Sequence, residues 1–97
     1  VRPIALLLAA LVAAGCASVD ATRQLVAAEV ALEGARSAGA ERQAAYEYTA
    51  ADAYYQKARE ENARARYGAA AEHARKATIL AEEAQVKARR AARPEAR

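Results

Sequence analysis

The chain has no tryptophan, methionine or phenylalanine, and its 97 residues hold one cysteine, one histidine, two prolines and four glycines. Each shortage closes off a class of explanation. With those bulky apolar types missing, alanine must build the core, and one core in a domain this small rarely supplies more than ~3–5 kcal/mol. The lone Cys16 cannot close an internal disulfide. The lone His73 has no second histidine or further cysteine with which to hold a metal. No glycine-rich loop cradles a phosphate. Among the hydroxyls, Ser18, Thr22, Ser37 and Thr78 fall at no spacing that pairs a nucleophile with a base on one helical face. Glu60-Glu61 and Glu82-Glu83 read as solvated helix charges, not acid–base dyads. This inventory predicts a protein that is not an enzyme and uses no cofactor.

What is present begins with an apolar run. Every residue from Ile4 to Ala14 is apolar, and Arg2 is the only charge before Cys16. Those eleven or so residues fall short of the roughly 20 that span a bilayer as a helix. A basic start, a short apolar stretch and small residues before a boundary predict a secretory signal. The small residues Ala13, Ala14 and Gly15 lead straight into Cys16. This resembles the lipobox of bacterial prolipoproteins. The resemblance implies cleavage between Gly15 and Cys16, and a diacylglyceryl group with palmitate-type chains on the thiol. It also implies an outer-membrane address on the periplasmic side, because Ala17 stands where an inner-membrane retention signal has aspartate. The alternative is a small buried cysteine in an ordinary helix. It leaves the apolar run with no core to join.

Charge points the same way. Fifteen basic residues oppose twelve acidic ones, and signs alternate along the chain, which predicts no nucleic-acid partner. The basic excess is local: Lys87, Arg89, Arg90, Arg93 and Arg97 face only Glu95. Such an end is either a solvated tail or a contact for anionic lipid or cell-wall groups. Arg97 offers no amine for covalent attachment, so contact with peptidoglycan is expected to be noncovalent.

Alanine, glutamate, arginine and lysine at this density mean helix. Glycine and proline punctuate it, giving expected helices near residues 19–37, 41–66 and 69–92. Ser18 and Asp20 are candidate caps, Gly34 is expected inside the first helix, Gly68 marks the second break unless one continuous helix takes it in, and Pro94 ends the pattern. Within each segment a three–four spacing recurs. It takes in Ala21, Leu25, Ala28, Leu32 and Ala35; then Ala44, Tyr48, Ala51, Tyr55, Ala58, Asn62 and Ala65. The last set is Tyr67, Ala70, Ala74, Ala77, Ala81, Ala84, Ala88 and Ala91. That is the seam of packed helices, and alanine there lets backbones approach closely. The expectation is an all-α antiparallel hairpin or three-helix bundle with alanine-rich seams. Its second helix is expected in the middle. Glu60 with Arg64, Glu72 with Lys76 and Glu83 with Lys87 are expected i,i+4 ion pairs. Tyr46, Tyr54, Ile79 and Val86 lie off the seams and form a candidate face for an envelope protein or a second copy.

Several pieces resemble the alanine-rich bacterial lipoproteins grouped as domain of unknown function 4398. They are Ala38-Gly39-Ala40, Lys57-Ala58-Arg59-Glu60, Tyr67-Gly68-Ala69-Ala70 and Ala81-Glu82-Glu83-Ala84. The resemblance implies a helical envelope module without an assigned activity. The expected organisation is a lipoprotein signal peptide over 1–15, a lipidated cysteine and short linker over 16–20, a helical domain over 21–92 and a basic tail over 93–97. The expected function is structural or accessory, anchored to the outer membrane. A tetratricopeptide-like binding module is the alternative, though no ~34-residue period repeats.

Overall fold

A computed structural model describes residues 2–93. Among these residues there are only helices and turns: α1 (Arg2–Ser37), α2 (Ala40–Gln43), α3 (Ala45–Ala63) and α4 (Tyr67–Ala92). The long axis measures 69 Å against 19 Å and 14 Å across.

The seams expected from the three–four spacing are the core except at their ends, where Asn62, Tyr67 and Ala91 are half-covered and Ala65 is exposed. Ala21, Ala28, Ala35, Ala51, Ala58, Ala70, Ala74, Ala77, Ala81, Ala84 and Ala88 are fully buried, and Leu32 and Ala44 nearly so. Larger seam residues such as Leu25, Tyr48 and Tyr55 are half-buried and close the edges of these alanine contacts. Methyl groups at the seam allow near contact of helix backbones. Among the described residues, every charged side chain except Glu61 is kept out of full burial.

The core clusters give the topology. Ala28 shares one with Ala58, Ala74 and Ala77. Leu32 joins Ala51 and Ala81, and Ala35 joins Ala44, Ala84 and Ala88. Numbers rise together along α1 and α4 and fall along α3. The bundle therefore runs up, down, up, with α1 and α4 parallel. The sequence expectation of a central second helix is corrected here. α4 is the shared partner, packing on α1 and α3 alike, while α1 and α3 meet far less. α4 carries the longest run of buried alanines, from Ala70 to Ala88, flanked by half-covered His73, Leu80 and Gln85.

The helix ends also differ from expectation. α1 does not start near residue 19; it runs unbroken from Arg2, so Ser18 and Asp20 cap nothing. Gly34 is absorbed into it as expected. The α1–α2 corner uses Gly39 at φ 85°, a left-handed conformation that glycine adopts without steric cost. The α3–α4 corner lies three residues before Gly68. The Arg66 amide donates to the Glu61 carbonyl at 2.8 Å and the Ala65 amide to the Asn62 carbonyl at 3.0 Å. This is a Schellman ending with Ala65, at φ 59°, in the place glycine usually takes. Gly68 sits inside α4 with open space around it. α4 ends at Ala92, ahead of Pro94, which lies outside the described residues.

Candidate functional site

The amino-terminal half of α1 stands apart from the bundle. Every side chain from Arg2 to Ala13 is exposed, and so are Gly15, Cys16, Ala17, Val19 and Asp20. Ile4, Leu6, Leu7, Leu8, Leu11 and Val12 are 58 to 72% exposed. Burial starts at Ala21. Cys16 is a free thiol on this exposed stretch, beside Val12, Gly15, Val19, Asp20 and Arg23. The helix passes through residues 16–20 with no break. The Thr22 hydroxyl donates to the Ser18 carbonyl at 2.9 Å, a bond within the helix. Arg75 of α4 reaches across to within 3.9 Å of Asp20.

The basic end lies at the other end of the bundle. Lys87 does not pair with Glu83; its Nζ donates to both carboxylate oxygens of Glu47 on α3, at 3.2 and 3.3 Å. Glu47 sits in the first turn of α3, where its carboxylate accepts its own backbone N–H. That bond, helped by Lys87 and opposed by partial burial, holds the carboxyl below its ordinary pKa. Arg89, Arg90 and Arg93 are exposed, and Arg97 lies outside the described residues. The other expected pairs divide. Glu72–Lys76 forms at 3.7 Å, while Glu60 turns to Lys57 at 3.7 Å, because Arg64 caps α3 and has left the helix.

The off-seam apolar residues do not gather into one face. Tyr46 is 78% exposed near the start of α3. Ile79 and Val86 are exposed on the back of α4, among Glu82, Glu83, Lys87 and Arg90, with no second helix as a wall. Tyr54 lies apart from these. It packs on the Ala58–Ala74–Ala77 cluster, stacks on His73 with ring centroids 6.0 Å apart, and carries Lys76 Nζ over its ring at 5.7 Å.

Three polar features escaped the sequence reading. Glu61 is not a solvated charge. Its side chain is 7% exposed, with Lys57 Nζ at 3.7 Å and Arg66 Nη1 at 3.6 Å. The residue lies three positions after Ala58, on the seam side of α3, and that spacing was the available signal. Arg36 spends all three guanidinium nitrogens on Tyr48, Glu33 and Glu41, joining α1, α2 and α3. The Tyr48 hydroxyl is the main reason its pKa is raised further, with Glu33 and Glu41 adding to it. His73 Nδ1 and Asn62 Oδ1 are buried without a protein partner. Among the described residues no group of three or more His, Cys, Asp or Glu is placed to hold a metal. No family model, no curated protein and no solved structure matches the chain.

Proposed function

We propose that this protein is a non-enzymatic envelope lipoprotein, a helical module held at the outer membrane by lipid on Cys16. One observation carries the reading: α1 changes character at Ala21. Before it, a run of large apolar side chains buries nothing in the bundle; after it, the seam residues of α1 are covered or half-covered. An exposed apolar run of this length in water is unfavourable at about 25 cal/mol per Å². It needs an apolar environment that the bundle does not supply, and a membrane supplies it. Cys16 lies exposed at the border, accessible to an acylating enzyme. One acyl chain holds marginally, so two or more on Cys16 account for stable anchoring.

A second reading has its own support. α1 is long and apolar enough to cross a membrane, judged by length and composition. Kept uncut, its first half serves as a single span with the same bundle beyond it. The tetratricopeptide alternative fares worse, because α1 adds to the α3–α4 hairpin in parallel and repeats no helical pair. Fatty-acid labelling in the producing cells separates the two membrane readings. Lipidation on Cys16 predicts label in the wild type and none in Cys16→Ser, with the variant retained as a longer precursor. Equal absence of label, with both forms in the membrane, selects the uncut span.

A further inference from the structure

Membrane attachment through α1 brings another part of the molecule to the lipid surface. α1 and α4 are parallel, and Ala28 lies level with Ala74 and Ala77, an offset of about 46 to 49 residues. The α3–α4 turn, Arg64-Ala65-Arg66, therefore falls level with residues 15–20 of α1. That is the level of Cys16. The long side chain of Arg75, from further along α4, reaches back toward this end, to 3.9 Å of Asp20.

We propose that this turn is a second membrane contact, in which Arg64 and Arg66 bind the phosphates of anionic headgroups. The inference rests on membrane attachment through the first half of α1, and it is the same for a lipidated Cys16 and for an uncut span. Both arginines are exposed. Arg64 makes no ion pair among the described residues, and Arg66 has only the 3.6 Å contact with Glu61. Tyr67 follows, half-covered, an aromatic of the kind enriched where membrane meets water. Arginine forks match phosphate oxygens two at a time. No glycine or proline interrupts α1 between Cys16 and Ala21, so the bundle rises from the membrane by the end that holds the turn.

The same register separates the other basic cluster from this surface. Arg66 and Arg90 are 24 residues apart, nearly all within α4, which at 1.5 Å per residue is roughly 36 Å. Surface charge is screened over ~8 Å at physiological salt. Arg89, Arg90 and Arg93 thus face away from the membrane that holds α1, and Arg64 and Arg66 take the role of lipid contact.

Because the chain has no tryptophan, one introduced indole reports a single place. Tyr67→Trp marks the turn and Ala92→Trp the far end. Each full chain is purified in detergent from the membranes of the producing cells and reconstituted into phosphatidylcholine vesicles, with or without about a third phosphatidylglycerol. Vesicle flotation and quenching by headgroup-nitroxide lipid are then read together. The proposal predicts flotation of both proteins and several-fold stronger quenching at position 67 than at 92. It predicts a further rise at 67 with phosphatidylglycerol. Arg64→Gln with Arg66→Gln in the Tyr67→Trp chain abolishes that rise. Arg64→Gln alone, which breaks no ion pair, removes part of it, and equal helical melts guard against misfolding. Flotation with equal quenching at 67 and 92, or a lipid response untouched by both arginine changes, overturns the turn contact and leaves the anchor standing. Failure to float overturns both.

Discussion

The two halves of α1 draw on the same aliphatic residues and do opposite things. Residues 2–20 and 21–37 are both rich in alanine, leucine and valine, and both belong to one unbroken helix. The first half buries none of its large side chains, whereas the second buries Ala21, Ala28, Leu32 and Ala35. Charge separates them in part, with Arg2 and Asp20 in the first half against Arg23, Glu29, Glu33 and Arg36 in the second; periodicity does the rest. In the second half, apolar residues recur at three and four with charges between, so one stripe faces α4. In the first half they run all round the helix, and a helix apolar on every side suits an apolar solvent rather than one neighbour.

A charge placed in each half breaks the comparison most strongly. Ala28→Glu puts a carboxylate at a fully covered position, and Ala77→Glu does the same across the seam. Each is expected to cost at least ~3 kcal/mol, enough to unfold an alanine core near ambient temperature. Leu8→Glu is expected to leave the thermal melt of the bundle unchanged and to lower the share of the protein held in the membrane, by impairing the signal before cleavage or, in an uncut chain, by weakening the span. Loss of helical melting in Leu8→Glu, or its retention in Ala28→Glu, erases the distinction.

Next in size are the two left-handed corners that frame the bundle half. Gly39 and Ala65 share a conformation but not a residue. Gly39→Ala is expected to cost about 1 kcal/mol and Ala65→Gly to gain a similar amount, each read from denaturant midpoints.

Glycines inside α1 sharpen the contrast further. A methyl at Gly34 meets the Nε2 of Gln85 at 3.1 Å, the free end of a flexible side chain, whereas Gly15 has open space. Gly34→Ala should therefore stabilise the bundle by up to ~1 kcal/mol through helix propensity. Gly15→Ala should leave the same melt unmoved, because that half takes no part in it.

The smallest expected effect is in pH. Glu47 has its carboxyl pKa lowered on folding from an ordinary value of 4.5. Its contribution to stability is therefore complete above that value and is lost as pH falls through the lowered one. Since its own backbone N–H is the larger cause, Lys87→Ala should leave the Glu47 carboxyl still below 4.5 in a carbon-detected NMR titration. A return to the ordinary value assigns the effect to Lys87 instead.

The seams were legible because burial of one face imposes a period that survives in sequence, even when nearly every seam residue is alanine. The order of neighbours was not. Three alanine stripes fit together in more than one arrangement, and nothing in their spacing marks the stripe of α4 as the shared one. The α3–α4 corner departs from the break that glycine marks in the sequence, because the chain turns at Ala65 and keeps Gly68 in the helix. Cys16 stood out through the residues around it. The turn at Arg64 and Arg66 gave no signal, since only the parallel register of α1 and α4 brings it level with Cys16.

The central claim is that membrane attachment resides before Ala21 and folding after it. The direct test compares the full chain with one starting at Ala17, made in the same cells. Membrane fractions are washed with alkaline carbonate, and the helical melt of each protein is recorded. The account predicts that the full chain stays with the membrane, while the shortened chain is released in soluble form with an equal melt. A shortened chain that remains on the membrane, or that no longer folds, contradicts it.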